Sequence, residues 1–118
     1  MRDVKKAEIG EFPKENASFE HIYMDVVTLQ PSEGYAKILT MIDRKTRFLQ
    51  IEPITAETAE EIWRVFRATW CKSKGYPTIV TTDQGKAFMS QYMKNKFNEF
   101  NIEHRLTSAY NPKSNGII

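Results

Sequence analysis

Two aspartates have the residue type and setting to bind a divalent cation. Asp25 lies inside the apolar run His21-Ile-Tyr-Met-Asp-Val-Val27, and Asp83 directly follows the β-rich run Thr78-Ile-Val-Thr-Thr82. An isolated carboxylate is costly to bury unless it is paired or binds a cation. Hard cations such as Mg²⁺ bind carboxylate oxygens, and two of them about 4 Å apart can hold the attacking and leaving oxygens of a phosphodiester exchange. The pair therefore indicates metal-dependent phosphoryl transfer.

Each aspartate also has a simpler interpretation. Asp25 fits a solvated strand face or a strand-end bulge, and Asp83 fits an Asp-x-Gly turn that ends a strand. A site of this kind usually has a third acid, and the acids that follow Asp83 in the sequence are Glu99 and Glu103. We expect both glutamates to be solvated charges rather than ligands.

The composition restricts the classes of protein that fit. A chain of 118 residues predicts one small domain, and its net charge of +2 is too small to attract nucleic acid except through local clusters. The single cysteine, Cys71, rules out an internal disulfide and fits a reducing compartment. No secretory signal or membrane-spanning run is visible. We expect a location in the nucleus or cytoplasm, without secretion or a membrane partner.

Three β-rich segments with short links precede the helices. Residues 21–27, 35–42 and 47–52 predict an antiparallel meander. Apolar residues at helical spacing then predict a helix with Thr55 as its N-cap and Gly75 just beyond its end; they are Ala59, Ile62, Trp63, Phe66 and Trp70.

A strand at 78–82, a helix over about 90–100 and a short strand at 102–106 complete the predicted order, β-β-β-α-β-α-β. The fold class is therefore α/β, a five-stranded mixed sheet with helices on its faces. Several polar residues have structural interpretations. We expect Asp43 to cap a turn and His21 and His104 to be strand-end polar residues.

Four segments, in this order and spacing, resemble the integrase catalytic core of LTR retrotransposons and retroviruses, with Gypsy-type elements the most similar. They are Phe19-Glu-His-Ile-Tyr-Met-Asp-Val-Val27, Ile38-Leu-Thr-Met-Ile-Asp-Arg44 with Thr46-Arg47-Phe48, Thr81-Thr-Asp-Gln-Gly-Lys-Ala-Phe88, and Thr107-Ser-Ala-Tyr-Asn-Pro-Lys-Ser-Asn-Gly116. The resemblance implies a ribonuclease-H-like fold. We expect residues 1–18 to be a polar linker or tail and residues 19–118 to be the catalytic core.

The resemblance also assigns roles to individual residues. Asp25 and Asp83 match the two catalytic aspartates, which would bind Mg²⁺ or Mn²⁺. The family's third acid is a glutamate at the position after Ile118, so we expect a core truncated before that acid, with its C-terminal helices missing and its metal weakly bound. The family commonly has His before the loop proline, and this chain has Asn111.

The implied function is DNA integration, by metal-dependent processing of 3′ ends and strand transfer of element DNA into target DNA. DNA contacts would come from Gln84, Lys86, Lys113, Ser114 and Asn115, and the full-length protein would be a homo-oligomer. The alternative is a catalytically inactive truncated or domesticated remnant that acts as a nucleic-acid-binding or interaction module. We expect no strand transfer from these 118 residues alone.

Overall fold

The computed structural model describes residues 17–30 and 36–107. Within them lies one five-stranded sheet with the order β3-β2-β1-β4-β5. Its strands are β1 (His21–Leu29), β2 (Ala36–Asp43), β3 (Leu49–Ile54), β4 (Ile79–Thr82) and β5 (Glu103–Leu106). The first three pair antiparallel, whereas β4 is parallel to both β1 and β5. The predicted meander and mixed sheet are confirmed, and the strand ends differ slightly from those predicted.

Two helices connect the later strands. The first, α1 (Ala59–Phe66), continues through a π-helical segment (Arg67–Cys71) and a last α-turn (Lys72–Lys74). It ends at Gly75, whose φ of 89° is a left-handed value that glycine adopts without strain. The second, α2 (Gln91–Glu99), begins after Ser90. The sequence pattern gave no signal of the π-helical segment.

The N-cap of α1 is Thr58, so the predicted N-cap at Thr55 is wrong. The Thr58 hydroxyl accepts a hydrogen bond from the Glu61 N–H at 3.2 Å. The Thr55 N–H instead donates to the Glu61 side chain at 2.9 Å. The Glu61 carboxylate therefore accepts a backbone hydrogen bond from the segment that precedes the helix. Threonine is a favoured N-cap residue, so residue type alone does not distinguish Thr55 from Thr58. The path of the chain after β3 determines which of the two caps the helix.

Both described helices pack on one face of the sheet. Alternation along the strands directs Ile22, Met24, Leu39, Met41 and Val80 toward them. Trp63 and Trp70, from the apolar stripe of the predicted helix, are buried in this core and only 3% and 0% exposed. The opposite face, which carries Asp25, has exposed apolar side chains at Val27, Leu29, Leu49 and Ile51.

Asp43 is the buried polar centre of the turn between β2 and β3. One carboxylate oxygen accepts the Phe19 N–H at 2.7 Å, and the other accepts the Thr46 N–H at 2.8 Å and its hydroxyl at 2.7 Å. The predicted turn-capping role is confirmed. The hydrogen bond from Phe19 adds a second role for Asp43, because this bond attaches the residues before β1 to the same corner of the sheet.

An aromatic cage (Phe19, Phe48 and Trp70) surrounds the Lys74 ammonium at the same corner. The Lys74 Nζ lies 4.7 Å from the ring centres of Phe48 and Trp70 and 5.9 Å from that of Phe19. It also donates to the Gln50 side chain at 3.0 Å. Cation–π attraction therefore connects the end of the helical segment to the β2–β3 turn.

The predicted division at residue 18 stays a prediction, because residues 1–16 lie outside the described part of the chain.

Replacing Asp43 by alanine leaves the N–H groups of Phe19 and Thr46 and the Thr46 hydroxyl without their acceptor. We expect Asp43→Ala to lower the free energy of unfolding by about 3 kcal/mol, measured by urea unfolding. Lys86→Ala, at an exposed loop position, is the control and should change it by less than about 0.5 kcal/mol. Equal urea midpoints for the two variants would contradict the structural role of Asp43.

Candidate active site at the carboxyl end of strand β4

Asp25, in the middle of β1, lies beside Asp83, the residue that directly follows β4. Strands β1 and β4 are parallel, with Ile22 beside Val80 and Tyr23 beside Thr81. The same register continued by two residues places Asp25 beside Asp83. The negative charge of Asp83 acts on Asp25 and raises its pKa, which is the electrostatic sign of that proximity. The structure therefore brings together the two aspartates that the sequence predicted to form a pair.

The Asp25 carboxyl is exposed at the surface of β1, yet its pKa is raised. Partial burial is the largest cause, and the Val26 N–H opposes it by donating to Asp25 Oδ1 at 2.9 Å. The charges of Asp83 and Glu57 raise the pKa further. Like charges near a carboxylate disfavour its ionised form, and a bound cation would remove that repulsion.

The Asp83 carboxylate is held by the turn that follows β4. Its Oδ1 accepts the Gly85 N–H at 2.8 Å, so the Asp-x-Gly turn is present. A Cβ atom at Gly85 would lie only 3.0 Å from that oxygen and 3.6 Å from the Phe88 ring. A side chain at position 85 would therefore displace this oxygen by a few tenths of an ångström. The turn orients the Asp83 carboxylate rather than competing with a role in the site.

Both histidines bond to threonines of β4. His21 is buried, and its Nε2 lies 2.8 Å from the Thr81 hydroxyl. His104 Nε2 lies 2.8 Å from the Thr82 hydroxyl. Burial, followed by the nearby charge of Lys94, lowers the pKa of His104. Both residues lie on strands as predicted, but no sequence pattern indicated these contacts across the sheet.

Glu57 is a third acid that sequence reasoning missed. Its charge acts on Asp25, and its carboxylate forms an ion pair with Lys37 at 3.3 Å. The Lys37 Nζ also lies 3.0 Å from the Thr28 hydroxyl. Glu57 follows the end of β3, three strands away from Asp83 in the sheet order, so only the folded structure shows that it lies near the pair.

The other acids that the sequence singled out are surface charges, as predicted. Glu99 pairs with Lys96 at 3.5 Å, and Glu103 pairs with Arg105 at 2.7 Å. Residues 17–30 and 36–107 contain no group of three or more His, Cys, Asp or Glu side chains placed to hold a metal ion. Within the described residues, the site is therefore a pair of carboxylates.

Gln84 and Lys86 are exposed in the loop directly after Asp83. The other predicted DNA contacts, Lys113, Ser114 and Asn115, lie outside the described residues. Cys71 is buried, and that burial raises the pKa of its thiol to about 12, which keeps the thiol protonated and unreactive near neutral pH. No helix in the described ranges is long and apolar enough to cross a membrane.

Solved structures that resemble this fold include viral integrases. The HTLV-2 integrase catalytic core domain, in complex with magnesium in a trimeric form, gives a TM-score of 0.70 at 21% identity, over 84% of this chain and 66% of that one. The simian T-cell lymphotropic virus intasome, in complex with PP2A regulatory subunit B56 gamma, gives 0.72 at 21% identity, over 86% of this chain and 36% of that one. At such identities the likeness shows the fold, which is the predicted ribonuclease-H-like core.

Sequence comparison gives the family. Residues 15–112 match the family described as the integrase core domain. The Pro-Pol polyprotein of feline foamy virus is 32% identical over 101 residues, which are 85% of this chain and 9% of that polyprotein. The Transposon Tf2-3 polyprotein of Schizosaccharomyces pombe is 27% identical over 106 residues, 88% of this chain and 8% of that polyprotein. The chain spans under a tenth of the length of these relatives, and it belongs to the integrase core domain family of retroviruses and LTR retrotransposons.

Proposed function

We propose that this core catalyses metal-dependent phosphoryl transfer in DNA integration, with Asp25 and Asp83 as metal ligands and catalytic residues. The observation that carries the proposal is the position of the two carboxylates, beside each other where β4 ends against the middle of its parallel neighbour β1. Ligands in open α/β sheets commonly bind at such strand ends. Family membership supports the class of reaction, and the pair of aspartates supports the location of the metal site.

The donor set fits Mg²⁺ or Mn²⁺. Protein sites for Mg²⁺ typically provide one or two carboxylates and leave the remaining positions to water and substrate phosphates. Asp25 and Asp83 provide two, and the Gly85 N–H holds one oxygen of Asp83 in place. When bound, such an ion would neutralise charge on phosphate oxygens and lower the pKa of a bound water. Like-charge repulsion at Asp25 favours the same occupant.

The protein's own contribution is positioning and charge. In 3′-end processing, water attacks a phosphodiester near the element end, and the 3′ oxygen leaves as a hydroxyl. In strand transfer, that hydroxyl attacks a target phosphodiester, and the target's 3′ oxygen leaves. The two aspartates would fix the reacting phosphate, and Gln84 and Lys86, exposed beside Asp83, would contact the flanking backbone. Lys113, Ser114 and Asn115 remain proposed DNA contacts.

A second candidate function is DNA binding without catalysis. It rests on the described residues containing no group of three or more acids placed to hold a metal ion. Fewer acids neutralise a metal less completely, whereas phosphate contacts from Lys86 need no metal. DNA binding without joining activity, in any polypeptide that contains this core, would favour this candidate.

We also propose self-association in longer polypeptides, because the HTLV-2 core was solved in both dimeric and trimeric forms.

Removing either aspartate should weaken cation binding. We expect Asp25→Asn and Asp83→Asn each to reduce the Mn²⁺ affinity of the 118-residue chain at least about tenfold, or ~1.4 kcal/mol. The measurement is paramagnetic broadening of backbone amide signals during a Mn²⁺ titration. Glu103→Gln is the matched control, because Glu103 is an exposed acid paired with Arg105. If the Asp83→Asn protein keeps the Mn²⁺ affinity of the wild-type chain, Asp83 is not a ligand of the metal.

The mutual repulsion of the aspartates gives a test without metal. The charge of Asp83 contributes to the raised pKa of Asp25, so Asp83→Asn should lower that pKa toward its ordinary value. The pH dependence of the Asp25 carboxyl carbon signal measures it. Glu99→Gln should leave the Asp25 pKa unchanged. If Asp83→Asn does so as well, the two carboxylates are not neighbours.

Catalysis should depend on both aspartates together. In an integrase polypeptide that contains this core and a third acid, we expect Asp25→Asn or Asp83→Asn to reduce joining of an element-end oligonucleotide by about a thousandfold or more. Glu99→Gln should retain activity. Normal joining by the Asp83→Asn protein would overturn the catalytic assignment.

A further inference from the structure

A short chain of hydrogen bonds lies beneath Asp83, on the helix-packed face of the sheet. Strands β4 and β5 are parallel, with Val80 beside His104, so the His104 and Thr82 side chains share that face. The Thr82 hydroxyl is 2.7 Å from the Asp83 carbonyl oxygen and 2.8 Å from His104 Nε2. Thr82 is only 1% exposed, so water does not compete for these bonds.

The direction of the chain follows from counting protons. A hydroxyl carries one proton, and a carbonyl oxygen only accepts. The Thr82 proton is therefore committed to Asp83, and His104 Nε2 must donate to the Thr82 oxygen. This arrangement requires the Nε2-protonated tautomer of His104. Each bond thus runs toward Asp83, from the imidazole through the hydroxyl to the carbonyl.

Packing holds His104 in this orientation. Its ring lies 4.8 Å from that of Phe97, a buried residue of α2. Burial keeps the imidazole neutral near pH 7 by lowering its pKa, with the charge of Lys94 acting in the same direction. The Thr107 N–H also donates to the Thr82 carbonyl at 2.9 Å. Helix α2 and strand β5 are therefore both connected to the backbone at Asp83.

We propose that His104 and Thr82 are positioning residues that fix the peptide after Asp83 and thereby orient its carboxylate. The Asp83 carbonyl belongs to the peptide that leads into Gln84. Rotation of that peptide would displace the Gly85 N–H, which donates to Asp83 Oδ1 at 2.8 Å. The inference deepens the proposed function, on which its link to metal binding rests. Groups of this kind orient metal ligands without touching the metal, and their loss typically costs about 10–100-fold in affinity.

The chain supplies a matched control on the opposite face of the same strand. His21 Nε2 and the Thr81 hydroxyl form an equivalent pair at 2.8 Å, and both side chains are buried. Thr81→Val therefore removes a buried hydroxyl from a histidine–threonine pair, as Thr82→Val does. Only Thr82→Val removes the donor to the Asp83 carbonyl.

The test compares these variants in the 118-residue chain by two readouts. The first is the Gly85 amide proton shift, which reports the turn without any metal. The second is Mn²⁺ affinity. We expect Thr82→Val and His104→Leu to move the Gly85 signal upfield and to weaken Mn²⁺ binding about tenfold. Thr82→Ser and His104→Gln, which keep the hydroxyl and an N–H donor, should restore both, and Thr81→Val should change neither.

The outcomes separate this inference from the proposed function. An unchanged Gly85 signal in folded Thr82→Val or His104→Leu protein overturns the positioning role. A moved Gly85 signal with unaltered Mn²⁺ affinity overturns its link to the metal. If the wild-type chain binds no Mn²⁺, the metal site fails, while the Gly85 signal still decides the positioning role. Should Thr82→Val not fold, the contrast between His104→Leu and His104→Gln decides it.

Discussion

The parallel pairing of β1 with β4 is the constraint on which the site depends. Strands β1 to β3 form a local meander, which brings no residue from the second half of the chain to Asp25. The helical segment after β3 returns the chain across one face, so that β4 runs in the same direction as β1. The carboxyl end of β4 then lies beside the middle of β1, next to Asp25. Burial of Ile22 and Val80 beneath this pairing stabilises it, because both are 0% exposed.

Two kinds of aspartate illustrate how folding assigns roles to one residue type. Asp43 and Asp83 both follow apolar β-runs and both enter turns. Asp43 is 0% exposed, and backbone and hydroxyl donors occupy its two oxygens. Asp83 is exposed and lies beside a like charge. A carboxylate whose oxygens are occupied by internal donors stabilises structure, whereas one that faces a second carboxylate across a strand pair is suited to bind a cation.

Local patterns predicted those features that depend on local sequence. The apolar stripe from Ala59 to Trp70 predicted the helical segment, since only a helix brings that spacing to one face. The Thr58 cap was missed because Thr55 satisfies the same local rule, and the path of the chain after β3 decides between them. The proximity of Glu57 to Asp25 was missed for a different reason, because it depends on how β3 lies in the sheet. The Asp pair was predictable because each member adjoins a recognisable strand, whereas the contact between Thr82 and His104 depends on strand register.

The open face of the sheet has a consequence for the behaviour of the protein in solution. Val27, Leu29, Leu49 and Ile51 are 38% to 55% exposed, and β3 is the edge strand of the described sheet. Apolar area next to an unpaired strand edge favours contact between molecules, with hydrophobic gain of about 25 cal/mol for each Å² removed from water. Molecules of this domain should therefore associate as their concentration rises. Charged substitutions at Leu49 or Ile51 would raise the concentration at which they associate, without changing the packed core.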